Sequence, residues 1–223
     1  ISSAVSRARE FNPATSCDTF RIGLSDDAEF GLFPMLLNHI LEEAPDVVIV
    51  VRRVNFLLIS TMLGAGEISV GVSYTTDLPA NAKRKKIREM RVKILRGDNR
   101  PGALTLDEYC ARPHALVSFS GDLSGNIDND LAQIGRMRKV ILAVPQFSGL
   151  RCILPNTEIL AAVPDYAAAA LIENTGLRAD DPPFPIVTSD LSMVWGGLTD
   201  NDPAERWLRS KIVKHMSAPT SDD

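Results

Sequence analysis

Short polar side chains end or directly follow strand-like runs of this sequence, and side chains in such positions can recognise ligands through hydrogen bonds. Ser25 ends the apolar run that begins at Thr19, and Asn55 follows the run from Asp46 to Val54. In open α/β sheets, ligands bind beyond the carboxyl ends of strands, so both residues are candidate ligand contacts. A capping or turn serine and an Asx turn are the competing interpretations of these two residues.

Further candidate residues lie at the ends of two later strand-like runs. The later of these two runs is followed directly by a predicted helix. The group comprises Ser118, Phe119, Pro145, Gln146, Phe147 and Ser148. An ordinary core position is the alternative for Phe147. These side chains favour binding rather than catalysis.

Catalytic and metal-binding patterns have no support in the sequence. It shows no Ser-His-Asp order, HExxH, phosphate loop or GxGxxG, and His39, His114 and His215 are scattered without the spacing of metal ligands. The three cysteines are odd in number and widely spaced, which favours reduced thiols over a disulfide framework. We therefore expect neither an enzyme nor a bound cofactor or metal.

Composition is that of an ordinary soluble chain. The 223 residues are 45% hydrophobic and carry a net charge of −4, so no global positive field points to nucleic acid or anionic membrane. No apolar run is long enough to span a membrane, and the first ten residues lack the apolar region of a signal peptide. The run from Lys83 to Arg100 holds nine basic and two acidic residues, which we interpret as a solvated face or a subunit contact rather than a DNA-binding surface.

Strand-like and helix-like runs alternate along the chain, which predicts an α/β fold with parallel, doubly wound sheets. Two such units are separated by two extended crossings, and a final strand and helix return to the first. We expect two Rossmann-like lobes with a central cleft. The predicted divisions are a connector at 1–18, a discontinuous first lobe at 19–95 and 187–216, a second lobe at 96–186 and a disordered tail at 217–223.

Several motifs, in order, resemble the effector-binding domain of LysR-type transcriptional regulators. They are FNPATSCDTFRIGLSD, FPMLLNHILEEAPDV, LGAGEISVGV, TLDEYCARPHALVSFSG, VPQFSGLRCILPNTEILAAVP and NDPAERWLR, which together run from about Phe11 to Met216. The resemblance is nearest to the branch that responds to aromatic compounds and nodulation signals. It implies a periplasmic-binding-protein type II-like fold and an N-terminal winged helix-turn-helix domain that this sequence lacks. The opening ISSAVSRARE resembles the end of the linker helix, so we interpret the chain as a fragment.

The resemblance also implies roles for particular residues. A small-molecule effector would bind between the lobes, with Ser25 and Asn55 at positions that often contact it. Phe147 would pack on an apolar or aromatic effector, while Gln146 or Ser148 supplies a directional hydrogen bond. We expect Asp26 and Asp27 to be solvated or to recognise an amine.

Departures from the family pattern bear on the effector's chemistry. Gln146 replaces the His of several aromatic-acid sensors, and Gly196 and Gly197 follow Trp195 where relatives often carry WH-x-R. An aromatic compound or an organic acid is the candidate effector, either less acidic than benzoate-like ligands or held by Arg151.

The family further implies a cytoplasmic homodimer or homotetramer that reaches promoter DNA through the missing domain and has no membrane partner. Residues 36–51 and the helix near Asn126 to Gly135 are the expected dimer contacts. A periplasmic solute-binding protein of a transporter shares the predicted fold and is the alternative. The linker-like start, the motifs and the free cysteines favour the regulator.

Overall fold

The computed structural model describes residues 10–76 and 78–218 of the protein. Residues 1–9 of the predicted connector and residues 219–223 of the predicted tail lie outside this part of the chain. The strands are β1 (Thr19–Leu24), β2 (Val48–Arg53), β3 (Val70–Tyr74), β4 (Ala82–Met90), β5 (Val92–Arg96), β6 (Pro113–Val117), β7 (Lys139–Val144), β8 (Leu160–Pro164), β9 (Arg178–Asp180) and β10 (Ser189–Gly196).

The helices alternate with these strands, as the sequence predicts. They are α1 (Asp26–Gly31), α2 (Phe33–Glu43), α3 (Ile59–Gly64), α4 (Leu106–Ala111), α5 (Asn126–Gln133), α6 (Leu150–Ile153), α7 (Asp165–Ile172) and α8 (Pro203–Met216). Short 3₁₀ turns cover Pro13–Thr15 and Gly197–Thr199. No helix within the described ranges is both long and apolar enough to cross a membrane.

The chain forms two compact units, and each has its own mixed sheet. Among the described residues, the first unit holds 10–25, 33–76, 78–88 and 191–218, with the strand order β2-β1-β3-β10-β4. The second holds residues 26–32 and 89–190, with the order β7-β6-β8-β5-β9. The α/β class with two sheets confirms the predicted fold class.

Parallel pairing organises the centre of each sheet. In the first, β1 pairs in parallel with both β2 and β3, and Leu24 lies opposite Arg53 on one side and Val72 on the other. In the second, β6 pairs in parallel with β7 and β8. Parallel neighbours end at the same sheet edge, so the residues that follow these strands are brought side by side.

The sequence REMRVKIL at 88–95 predicts one strand, but the region from Ala82 to Arg96 has a different structure. It forms two strands in different sheets: β4 is an edge strand of the first, and β5 pairs with β8 and β9 in the second. The charged residues 83–86 are exposed on both faces of β4, so that part of the strand lacks the apolar alternation by which strands are recognised. The predicted lobe boundary after residue 95 lies within β5 (Val92–Arg96), whereas the division between the compact units lies before that strand, after Arg88.

The helical spacing of Phe30, Phe33, Leu37, Ile40 and Leu41 predicts one helix that begins near Phe30, but the structure has two helices there. Pro34 stands in the first turn of α2, where its missing N–H needs no partner. The preceding helix, α1, belongs to the second unit. Its Gly31 lies so close to α7 that an added Cβ would be 2.7 Å from the Tyr166 carbonyl oxygen.

Buried ion pairs fix β5 and the loop after it within the second unit. Arg96 is 1% exposed, and its Nε lies 2.9 Å from Asp180 Oδ2 on β9. Arg112 NH1 lies 2.6 Å from Asp98 Oδ2. Burial alone would raise the pKa of Asp98, but hydrogen bonds from the Arg100 N–H and Arg112 hold it below its ordinary value. The charges are paired, which offsets much of the cost of burying them.

Replacing Gly97 with Ala tests the packing of this loop. The added Cβ would stand 2.3 Å from the Leu154 carbonyl oxygen, so backbone must move, and we expect a loss of about 1–3 kcal/mol in unfolding free energy by urea denaturation. Gly64→Ala is the control, because no atom lies within 4 Å of its added Cβ. Equal stability of the two variants would contradict this close packing.

The buried His114 on β6 makes the stability of the second unit depend on pH, which can be tested. It is fully buried, its Nε2 lies 2.7 Å from the Tyr109 carbonyl oxygen, and burial lowers its pKa to about 4. The His114 imidazole takes up a proton near pH 6.5 in the unfolded chain but only near pH 4 in the folded chain. The unfolding free energy that His114 contributes above pH 6.5 is therefore lost as the pH falls towards 4. Between pH 7 and pH 5 we expect His114 to account for about 2 kcal/mol of the lost unfolding free energy.

Urea denaturation of the protein and of His114→Gln at both pH values isolates this contribution. The variant should lose less stability between the two pH values, since it lacks the titrating imidazole. An identical pH dependence would show that His114 does not titrate differently on folding.

Candidate functional site

Three adjacent parallel strands of the first unit end in polar residues with unsatisfied side-chain atoms. Ser25 follows β1, Asn55 lies two residues beyond β2, and Thr75 follows β3. The buried atoms Ser25 Oγ, Asn55 Nδ2 and Thr75 Oγ1 have no hydrogen-bond partner within the described part of the chain. Since adjacent strands lie about 4.8 Å apart, the row spans roughly 10 Å across the sheet. Along the strands, Asn55 lies one residue and Thr75 two residues beyond the position opposite Ser25.

Two of these side chains are more than nine-tenths buried. Ser25 is 8% exposed and Thr75 is 7% exposed. The main chain at Ser25 is satisfied, because its N–H donates to the Val72 carbonyl oxygen at 3.0 Å. A buried hydroxyl without a partner costs free energy, so this row is either a source of instability or a set of groups that a ligand satisfies.

Asn55 has a structural contact and an unsatisfied donor in the same side chain. Its Oδ1 accepts from the N–H groups of Leu57 at 2.9 Å and Leu58 at 3.0 Å, which is the local turn that the sequence offered as an alternative. Its Nδ2 takes no part in that turn and has no hydrogen-bond partner among the described residues. The turn therefore fixes the side chain and leaves its amide N–H groups available.

Sequence reasoning missed Thr75. The signal that identified Ser25, a hydroxyl at the end of an apolar strand, also applies to Thr75 directly after ISVGVSY. The parallel register of β3 with β1 brings the ends of both strands to one sheet edge, where Thr75 lies two residues beyond the position opposite Ser25. That register is not visible in a linear pattern.

In the second unit, Ser118 is engaged in its own loop. Its N–H donates to the Val144 carbonyl oxygen at 2.9 Å, which continues the β6–β7 pairing. Its Oγ accepts from the Asp122 N–H at 2.9 Å, and Ser120 donates to the Asp122 carboxylate. Phe119, between the two serines, is 51% exposed. The hydroxyl of Ser118 thus orders the loop.

The segment after β7 binds a carboxylate of the protein itself. Asp26 Oδ2 accepts from the N–H of Phe147 at 2.6 Å and from the N–H of Ser148 at 3.3 Å, and its Oδ1 accepts from Ser148 Oγ at 3.3 Å. The expectation that Asp26 is solvated or recognises an amine is therefore wrong. Phe147 is partly exposed and not an ordinary core residue, while Pro145 is exposed and Gln146 is partly buried.

Asp27 is also an internal acceptor, which corrects the same expectation. It is buried, and the Tyr166 hydroxyl on α7 donates to its Oδ2. Arg151 donates from NH2 to the Glu173 carbonyl oxygen at 3.3 Å, and its Cζ lies 6.0 Å from the centroid of the Phe30 ring. This guanidinium thus has protein partners in α1 and after α7.

The histidines and acidic residues do not form a metal centre within the described residues. His39 and His215 stack with ring centroids 3.9 Å apart, and His114 lies in the second core. The arrangement at the strand ends offers hydroxyl and amide groups, which suit recognition of a polar ligand.

Comparison with known proteins identifies the family. The model of the LysR substrate binding domain matches residues 14–217. The HTH-type transcriptional activator NahR of Pseudomonas putida is 27% identical over 212 residues, which cover 94% of this chain and 71% of that protein. Nodulation protein D 1 of Rhizobium tropici is 27% identical over 215 residues, covering 93% and 68%. The predicted likeness to nodulation-type regulators is confirmed.

A solved structure agrees with these relatives. The regulatory domain of MexT, a transcriptional activator in Pseudomonas aeruginosa, is 64% identical, with a TM-score of 0.85 over 88% of this chain and 99% of that one. The fold is thus the type II periplasmic-binding-protein-like fold of LysR regulatory domains. The matched family and these relatives are transcription regulators. The comparisons therefore favour a regulator over an enzyme or a solute-binding protein of a transporter. The chain belongs to the LysR substrate-binding domain family of transcription regulators.

Proposed function

We propose that this chain is the part of a cytoplasmic, homo-oligomeric regulator that senses a small-molecule effector, while a separate winged helix-turn-helix domain contacts promoter DNA. Effector binding would shift the population of conformations and so change how the oligomer holds DNA. The observation that carries this proposal is the row of unsatisfied buried groups at Ser25, Asn55 and Thr75. Most buried polar groups in folded proteins are paired, so three unpaired groups at one sheet edge favour a ligand there.

The row favours an effector with a hydrogen-bonding polar group. Ser25 and Thr75 offer hydroxyls, and Asn55 offers an amide NH₂, so a carbonyl, hydroxyl or carboxylate oxygen would satisfy them. The wider proposal of an aromatic compound or an organic acid comes from the family resemblance. Assignment of Ser118, Phe119, Pro145, Gln146, Phe147 and Ser148 to effector binding stays a prediction.

A thermal-shift screen against aromatic acids, phenols, amino acids and central metabolites would identify an effector, because a ligand that binds the folded state raises the melting temperature. Thr75→Val then tests the site. Valine has the same shape and removes an unsatisfied hydroxyl, so unfolding free energy should stay constant or rise by about 1 kcal/mol, while effector affinity falls roughly 5- to 10-fold.

Two further variants make this test specific. Thr157→Val is the matched control, because Thr157 Oγ1 donates to the Leu154 carbonyl oxygen at 2.8 Å; it should lose stability and keep effector affinity. Asn55→Asp keeps an acceptor for the turn and removes the unsatisfied N–H donors. Unchanged affinity in both Thr75→Val and Asn55→Asp would remove the row from the effector site.

Apolar side chains at one edge of the second sheet support the proposed homo-oligomer. The edge strand β7 exposes Ile141 at 50%, and the segment after α5 exposes Ile134 at 46% and Met137 at 82%. Exposed apolar side chains close together commonly mark protein interfaces. This surface extends the contact predicted near residues 126–135.

Met137→Glu should weaken self-association, since it places a charge in the proposed apolar contact. Light scattering after size-exclusion chromatography across a dilution series would measure the change, with roughly 10-fold more protein needed for dimerisation. Leu198→Glu is the control, because Leu198 is 96% exposed and lies on the first unit. The same dimerisation in both variants would contradict this surface.

A further inference from the structure

The first unit contains a basic groove that shares no residue with the row at Ser25, Asn55 and Thr75. Its volume is about 590 Å³, within the usual range for small-molecule sites. The charged and aromatic residues of its lining are Lys85 on β4, Trp195 on β10, Asp200 in the following loop, and Arg206, Arg209 and Lys214 on α8. Four basic side chains thus face one carboxylate.

That carboxylate is already paired. Lys83 donates to Asp200 Oδ2, and the Trp195 Nε1–H donates to Asp200 Oδ1 at 2.8 Å. The hydrogen bond from Lys83 holds the pKa of Asp200 below its ordinary value, so the group stays ionised and bound to Lys83. Lys83, which does not line the groove, is therefore its principal partner, ahead of Arg209.

Arg209 is a fixed, buried positive charge. It is 6% exposed, and its NH1 and NH2 donate to the carbonyl oxygens of Thr199 at 3.2 Å and Asp200 at 2.7 Å. Its Cζ lies 5.1 Å from the centroid of the Trp195 ring. Backbone carbonyls and an aromatic face hold the guanidinium in place without cancelling its charge.

The other three cations are exposed, and within the described part of the chain none is ion-paired or hydrogen-bonded through its side chain. Lys85 comes from β4, and Arg206 and Lys214 come from α8. At Arg209, Glu205, Asp200 and Asp202 interact favourably with the guanidinium, whereas Arg206 adds an unfavourable like-charge interaction. A bound anion with several charges would relieve this repulsion and engage more than one of the cations.

We propose that this groove binds a small anion with two or more negative charges, of the phosphate or carboxylate class. The net charge of −4 for the whole chain disfavours a long polyanion such as duplex DNA, whereas a small anion experiences mainly the local basic field. The exposed guanidinium fork of Arg206 suits bidentate contact with phosphate or carboxylate oxygens, while Arg209 contributes a fixed charge.

Calorimetric titration of this chain with inorganic pyrophosphate, and separately with citrate, tests the proposal and distinguishes the two anion classes. We expect saturable binding of at least one of them at low salt, weakening as salt rises. The double variant Lys85→Gln with Arg206→Gln should bind that anion roughly tenfold more weakly. Both side chains are exposed, so the variant should fold normally.

The double variant Arg84→Gln with Lys86→Gln is the matched control. It also removes two positive charges, both of them from β4, but alternation along a strand places both side chains on the opposite face from Lys85. Its anion affinity should stay within about twofold of the original. Equal weakening in both double variants, no saturable binding of either anion, or tighter binding of random-sequence duplex DNA than of the small anions would each overturn the proposal.

Discussion

The parallel hydrogen bonding of β1 with β2 and β3 is the constraint on which the candidate effector site depends. It satisfies the main chain of the first sheet and fixes Leu24 opposite both Arg53 and Val72. The same register brings the carboxyl ends of three strands to one edge. Ser25, Asn55 and Thr75 share that edge although they are far apart in sequence, and no described residue provides a partner for their buried Oγ, Nδ2 and Oγ1 atoms. The same strand pairing thus satisfies the backbone hydrogen bonds and leaves these side-chain atoms without a hydrogen-bond partner.

In the second unit, polar groups after a strand are satisfied by a carboxylate of the protein itself. Its strand β7 also leads into a short helix with available N–H groups, and there the Asp26 carboxylate accepts from Phe147 and Ser148. A charged acceptor on such groups makes stronger hydrogen bonds than a neutral one. The interaction ties α1 to the segment before α6, and it explains why α1 belongs to the second unit although it directly follows β1. An effector that used these N–H groups would have to displace Asp26.

Charge is distributed unevenly over the molecule. The chain is acidic as a whole, yet the first unit carries a groove whose cations come from β4 and α8. The exposed lysines of β4 suit an edge strand, since charge there discourages pairing with another sheet. One local requirement of the fold thus also creates a positive surface. Arg209 likewise has a structural role and an electrostatic one. It holds the loop after β10 through two backbone carbonyls, and it places a buried positive charge beside Trp195.

The sequence by itself determined the α/β class, the two units, the family, and Ser25 and Asn55 as strand-end candidates, because apolar periodicity and local turn chemistry are properties of neighbouring residues. Only the tertiary structure decided that Thr75 completes the row, that β4 and β5 belong to different sheets, and that Asp26 and Asp27 are internal acceptors. The partners of these residues lie distant in the chain, as Asp26 and Phe147 do, and the register of parallel strands sets which side chains meet. Hydrogen-bond satisfaction is a three-dimensional property, so a linear pattern shows which groups can bond but not which remain unbonded.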